Sequence, residues 1–255
     1  MTLQLLTIPC LSDNYAYLLH DPASGETAAV DVPEAGPMIK ALENKGWTLS
    51  HILLTHHHWD HIEGLDKLLA VAPARVIGAK ADANRLPPLD LAVSEGDIFR
   101  FGGEDCHILD VSGHTVGHIA FHLPVSKFVF TGDSLMALGC GRVFEGTFPQ
   151  MWASLCKLAA LPADTVVCSG HEYTQANAKF ALTVDPGNLA LISRAKAVDE
   201  ARAKGLPTVP SSLQEELETN PFLRAGNAEI QANLGMSGAD PRDVFAEIRS
   251  RKDRF

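Results

Sequence analysis

The feature that most constrains the fold is a short apolar run, His51-Ile-Leu-Leu54, that ends in Thr55-His56-His57-His58-Trp59-Asp60-His61. A run this short and this apolar reads as a buried strand, which places the polar cluster at the rim of a sheet. Imidazole and carboxylate are the side chains that hold zinc, iron or manganese. In an extended chain residues two apart point the same way, so His56 and His58 can grip one ion together. A helix beginning near Asp60 turns Asp60 and His61 toward a different place, so one segment can serve two adjacent ions. His57 and Trp59 then point away from the first ion. A lone histidine is usually a hydrogen-bonded core or surface residue. Four candidate ligands within six positions at a strand end are much harder to dismiss.

Three further segments have the same character, each at the end of an expected strand: Ser112-Gly-His114-Thr-Val-Gly-His118, Phe130-Thr-Gly-Asp133 and Cys168-Ser-Gly-His171. In each, a glycine directly precedes a candidate ligand and permits a tight turn at the sheet rim. Gly-Asp alone is ordinarily just a turn. Together the three supply two more histidines and a carboxylate able to bridge two metals. His118 reads equally well as a packed strand histidine or as a partner orienting a ligand. His20, His51, His107 and His122 are assigned no role.

The surrounding pattern alternates short strands with helices. Tyr15–Leu19, Thr27–Val32, Arg75–Gly78, Asp97–Phe101, His107–Val111, His118–Leu123, Lys127–Phe130 and Thr165–Cys168 read as strands. Met38–Lys45, Ile62–Ala70 and Gln150–Leu161 read as helices. This is an α/β architecture. After Tyr173 long helical patterns take over, with a capping-box pattern at Ser212 and Glu215 and a helix start at Asp240-Pro241. The expected division is 1–172 for the α/β domain and 173–255 for a smaller C-terminal α-helical domain.

Composition then excludes whole classes of function. A formal charge of -10 over 255 residues argues against a nucleic-acid partner, because phosphate affinity comes mostly from clustered Lys and Arg. No apolar stretch is long enough to span a bilayer, and the opening residues lack a basic n-region, so neither membrane nor leader is expected. Five scattered cysteines without a C-x-x-C pair read as reduced thiols, and the expected location is cytoplasmic. A monomer is the expected state.

Thr-His-x-His-x-Asp-His followed by Gly-His, Gly-Asp and Gly-His resembles the metallo-β-lactamase superfamily. The resemblance implies an αββα sandwich with the metals at one edge. It implies His56, His58 and His114 on the first ion, Asp60, His61 and His171 on the second, and Asp133 bridging them. Three local features narrow it to the glyoxalase II family, bacterial in type. They are Gly139-Cys-Gly-Arg142-Val-Phe144-Glu-Gly, Gly170-His171-Glu-Tyr173-Thr, and the terminal Arg249-Ser-Arg251-Lys252-Asp-Arg-Phe255. With these the resemblance covers essentially the whole chain. It implies glutathione contacts from Arg142, the Val143 backbone, Phe144, Tyr173, Arg249 and Lys252. Phe144 replaces the tyrosine of eukaryotic members, so a hydroxyl contact is absent there. From spacing alone, Arg249 and Lys252 read equally well as a solvated basic helix end favoured by the helix dipole.

The chemistry such a family member performs is hydrolysis of S-D-lactoylglutathione or a related acylglutathione to glutathione and D-lactate, the second step of methylglyoxal detoxification. Two divalent ions, zinc first and iron or manganese as alternatives, lower the pKa of water to give hydroxide at neutral pH. Asp60 would aim that hydroxide as well as ligating. A thiol leaving group with a pKa of about 8.5 departs as thiolate without a dedicated acid. Rivals are a lactonase, a β-lactamase, a ribonuclease Z-like enzyme, a persulfide dioxygenase and a non-catalytic metal scaffold. The β-lactamases usually carry cysteine at the place of Asp133, and the acidic balance argues against an RNA substrate. The dioxygenase uses one iron, whereas a second-metal set is present here. A scaffold would close its coordination shell with protein ligands.

Overall fold

The computed structural model describes residues 3–255; Met1 and Thr2, on which the expectation of no leader partly falls, lie outside the described residues. The described residues form two compact units. One runs up to Asp110 and resumes over Val116–Gly132; the other joins Val111–Thr115 to Asp133–Phe255.

The first unit is built on a six-stranded sheet: β1 (Gln4–Cys10), β2 (Asn14–His20), β3 (Thr27–Val30), β4 (His51–Leu53), β5 (Arg75–Ala79) and β6 (Leu91–Val93), side by side in that order. β1 to β3 pair antiparallel, and β3 to β6 pair in parallel. A parallel step needs a crossover. Helix α1 (Ala35–Lys45) supplies it between β3 and β4; α2 (Trp59–Ile62) and α3 (Leu65–Leu69) supply it between β4 and β5. Burial on both faces explains why β4 reads as a continuous apolar run. Strands β7 (Ile98–Phe101), β8 (Glu104–Asp110), β9 (Ile119–Leu123) and β10 (Phe128–Gly132) follow as an antiparallel meander. Tyr17 of β2 meets Phe130 of β10 with ring centroids 5.5 Å apart, and His51 of β4 meets Phe101 of β7 at 5.5 Å. Phe121 and Phe130 are fully buried, each such ring contributing on the order of 1.5–3 kcal/mol through apolar burial.

Several elements differ from the sequence expectation, among them β1, the short strand β6 and the helix expected after β4. β1 was not anticipated, because Pro9 interrupts its pattern; it survives as a strand because β1 is the edge of its sheet, where a missing N–H is tolerated. The helix expected over Ile62–Ala70 is two short helices broken at Gly64. A Cβ on Gly64 would lie 2.6 Å from the Ala35 nitrogen, and the Gly64 N–H donates to Val32 O at 2.9 Å. The break lets this segment press against the chain entering α1.

The second unit contains a small hairpin, β11 (Leu135–Met136) and β12 (Gly139–Cys140), and the antiparallel pair β13 (Val166–Ser169) and β14 (Ser211–Ser212). Its helices are α4 (Phe148–Ala159), α5 (Thr174–Val184), α6 (Leu189–Ala203), α7 (Leu213–Thr219), α8 (Ala228–Leu234) and α9 (Pro241–Asp253). Thr147 and Gln150 form a capping box at α4, while Ser212 and Asp240 cap α7 and α9. Phe222 packs between Phe180 and Phe245, at 6.0 and 6.1 Å. The hairpin is tied to the helices by buried polar groups. Leu138 N–H donates to Glu216 at 2.8 Å, Asn220 Nδ2 donates to Met136 O and Gly139 O at 3.1 and 2.9 Å, and Asn177 Nδ2 donates to Ala137 O at 3.0 Å. Buried carbonyls and amides with no strand partner need such side chains.

Candidate metal centre

In the first unit the chain leaves β4 extended, with His58 at φ −60 and ψ 141, and turns helical at Trp59. The ring centroid of His56 lies 4.7 Å from that of His58 and 4.2 Å from that of His61. The same ring stacks on His118 at 4.5 Å. The backbone switch from extended to helical therefore gathers three imidazoles. His57 turns aside and bonds through Nδ1 to Asp82 at 2.9 Å. Trp59 is largely exposed. Asp60 sits beside His61, Oδ2 to Nε2 3.9 Å, and Asn14 Nδ2 donates to both its carbonyl oxygen and Oδ2, at 3.0 and 3.2 Å.

The tautomers follow from the partners. His61 Nδ1 donates to the Asp31 carboxylate at 2.8 Å. Thr55 spends its only hydroxyl hydrogen on Asp31 at 2.8 Å, so toward His56 Nδ1, 3.0 Å away, it accepts. In both rings the hydrogen sits on Nδ1, and Nε2 carries the lone pair that a metal ion takes.

In the second unit Asp133 follows β10 directly. Its Oδ2 lies 3.5 Å from His114 Nε2 and 3.2 Å from His171 Nε2. His114 Nδ1 faces the Arg142 carbonyl oxygen at 2.7 Å, and a carbonyl only accepts, so Nδ1 is the donor. In the neutral ring Nε2 then turns its lone pair on a carboxylate oxygen, a pairing that a shared divalent ion would make favourable, and the donor set fits such an ion. His171 stacks on Tyr173 at 4.7 Å and 6°.

The residues singled out for substrate lie in this unit too. Arg142 is exposed, its guanidinium 5.8 Å from the Phe144 ring centre and its Nε 3.4 Å from Asp253. Phe144 is 62% and Tyr173 39% exposed, and Val143 is half-buried. Arg249 and Lys252 share a face of α9, over the Phe222 and Phe180 rings at 5.2 Å each. The solvated helix end does not describe Arg249, which is 5% exposed. Its guanidinium donates to Cys140 O at 2.8 Å and to Asp253 at 3.0 Å. Lys252 donates to Ala176 O at 3.2 Å, and burial, with help from the Arg249 charge, lowers its pKa.

Sequence reasoning missed Asp31, Asn14 and Asp82, which hold His61, Asp60 and His57 from distant parts of the chain. One signal was available for Asp31: it stands directly after β3, as Asp133 stands after β10.

Comparison with known proteins identifies the fold and the family. The crystal structure of BLEG-1 B3 metallo-β-lactamase matches with a TM-score of 0.67 over 86% of this chain and 99% of that chain, at 21% identity. That of ETHE1 from Myxococcus xanthus matches with a TM-score of 0.64 over 99% and 98%, at 26% identity. The fold is thus the metallo-β-lactamase fold with a helical C-terminal region. Residues 16–171 match the metallo-β-lactamase superfamily, and residues 172–255 match the family described as hydroxyacylglutathione hydrolase C-terminus. The hydroxyacylglutathione hydrolase of Ruegeria pomeroyi is 67% identical over 255 residues, all of both chains. The chain belongs to the hydroxyacylglutathione hydrolase family, the glyoxalase II branch of the superfamily.

Proposed function

We propose that this protein is a metal-dependent thioesterase that hydrolyses S-D-lactoylglutathione and related 2-hydroxyacylglutathiones to glutathione and the 2-hydroxy acid. For lactoylglutathione the acid is D-lactate, the second step of methylglyoxal detoxification. Full-length identity of 67% to a hydroxyacylglutathione hydrolase supports the substrate. The observation that carries the reaction class is the Asp133 carboxylate oxygen facing the Nε2 atoms of His114 and His171, an arrangement that calls for a cation.

In our reading His56, His58 and His114 would hold one ion, Asp60, His61 and His171 the other, and Asp133 both, as the family resemblance implies. Zinc leads, and iron or manganese suits the same donors. When bound, such ions lower the pKa of water and polarise the thioester carbonyl. The protein's own groups do the rest. Asn14 holds Asp60 so that its carboxylate can accept a hydrogen bond from the attacking water and aim it. The leaving thiolate needs no protein acid, its pKa being about 8.5. Arg142, the Val143 backbone, Phe144, Tyr173, Arg249 and Lys252 would hold the glutathione. We assign catalysis to 1–172 and glutathione binding to 173–255, in a monomer placed in the cytoplasm. The five cysteines stand as thiols, and among the described residues no helix is long and apolar enough to cross a membrane.

The test is hydrolysis of S-D-lactoylglutathione run beside a β-lactam and a lactone, with metal analysis of the same sample. Two equivalents of metal and turnover of the thioester alone are expected. Preferential turnover of the lactone or the β-lactam would overturn the assignment.

A further inference from the structure

We infer that Asp31 is a positioning residue that presets one ligand of each ion, its role resting on the proposal above that two ions are held. Asp31 is 3% exposed and takes a φ of +55, in the left-handed region that most side chains avoid and aspartate tolerates. That turn aims the carboxylate across to the end of β4. Oδ1 accepts the Thr55 N–H at 2.8 Å; Oδ2 accepts both the Thr55 hydroxyl and His61 Nδ1–H, each at 2.8 Å. Because the Thr55 hydroxyl hydrogen is committed to Asp31, Thr55 Oγ1 can only accept from His56 Nδ1. One carboxylate thus fixes the tautomer of His61 directly and that of His56 through a single hydroxyl.

The packing around this relay is tight. A Cβ on Gly132, itself at φ +47, would lie 2.5 Å from Thr55 Oγ1 and 2.9 Å from the His118 ring. His118 in turn stacks on the face of His56, the planes 13° apart. His56 is therefore held at its edge by Thr55 and across its face by His118. His61 is held at its Nδ1 edge by Asp31. A carboxylate behind a ligating imidazole orients the ring and raises its basicity. Here the effect is shared: His56 serves the first proposed ion and His61 the second, and Asp31 stands behind both.

The experiment uses the full chain with ¹⁵N-labelled histidine. Long-range ¹H–¹⁵N spectra, recorded metal-free and zinc-loaded, read the tautomers, and competition with a chromophoric chelator reads the stepwise zinc affinities. In the wild type both His56 and His61 should carry the hydrogen on Nδ1. Asp31→Asn should lose this for His61 and weaken both zinc sites, one of them by about 10–100-fold. Thr55→Val should perturb the His56 signal only and weaken a single site by about tenfold. Unchanged tautomers and affinities in Asp31→Asn would overturn the inference, and so would equal weakening of both sites by Thr55→Val. If Asp31→Asn does not fold, Thr55→Val decides. A wild type that binds fewer than two zinc ions refutes the two-ion proposal instead, and the tautomers of the metal-free chain still decide the role of Asp31.

Discussion

Segment 55–61 and the end of α9 both crowd polar side chains into a few positions, and the structure uses them in opposite ways. In 55–61 the backbone runs extended and then helical, and the imidazole edges of His56 and His61 are occupied by Thr55 and Asp31. Their Nδ1 atoms are engaged by the protein so that Nε2 is presented for binding. In α9 the helical period disperses the charges. Arg249 turns inward and is engaged by Cys140 O and Asp253, Arg251 pairs with Glu247 at 2.7 Å, and Lys252 is half-buried over aromatic rings. A polar cluster becomes a site when neighbours occupy the unused atoms and leave the reactive ones. The histidine segment has the geometry the proposed metal site requires, whereas in the basic segment Arg249 is largely consumed by the fold and Lys252 is the better candidate for a ligand.

The largest effect should come from Asp133, which tests the ligand side of this contrast. Asp133→Ala removes the oxygen that faces two imidazoles. Metal content should fall, and kcat/KM should drop by roughly 10³-fold or more, the loss of several kcal/mol of transition-state stabilisation. His57→Ala, which loses a bond to Asp82 but removes no proposed ligand, should retain metal. Two fully occupied metals in Asp133→Ala, measured by elemental analysis, would remove Asp133 from the ligand set.

How much of this was legible depended on distance along the chain. The clustering of His56, His58 and His61 could be read because strand and helix periods act over a few residues, and the β4 run announced where the strand ended. The partners could not. Asn14 reaches Asp60 across 46 positions and Asp31 reaches His61 across 30, separations at which periodicity says nothing. The same holds for the hairpin around Leu138. Its apolar sequence gave no hint that Glu216 and Asn220, some 80 residues on, would satisfy its backbone. Arg249 illustrates the converse error of scale: helical spacing placed it on a face with Lys252, but only the fold could bury it.

Separating those two residues gives the next effect. Arg249→Ala leaves Cys140 O and the Asp253 carboxylate without a buried charged donor, and hydrogen bonds to charged groups contribute about 1.5–3 kcal/mol each. The variant should unfold at lower denaturant and lose activity on an acylglutathione and on a small thioester alike. Lys252→Ala should unfold near the wild-type midpoint and raise KM for the acylglutathione by roughly tenfold, with kcat little changed. Metal content should not move in either. If Arg249→Ala is as stable as the wild type and impaired only on the glutathione thioester, Arg249 belongs with Lys252 as a direct contact, and the contrast drawn for α9 fails.

The smallest effect is a shift with pH, and it isolates Lys252. Burial lowers its pKa below the ordinary lysine value; the Arg249 charge lowers it further, and Cys140 opposes them weakly. Around the ammonium lie the Ala176 carbonyl and the Phe180 and Phe255 rings, at 5.2 and 5.3 Å from the ring centres. For stability the sign is fixed by linkage. Between the lowered and the ordinary value the folded chain binds fewer protons than the unfolded one, so stability rises with pH through that window. The gain is complete above the ordinary value and is lost as pH falls through the lowered one. For binding the sign is reversed, because only the ammonium attracts a glutathione carboxylate. Affinity for a non-hydrolysable S-alkylglutathione, measured by calorimetry, should therefore weaken as pH rises through the lowered value, by up to about tenfold for one charge-assisted contact. Lys252→Arg keeps its charge throughout and controls for titration of the ligand's own amine. Wild type and Lys252→Arg should diverge only at alkaline pH, and parallel curves would show that Lys252 makes no ionic contact with the tripeptide.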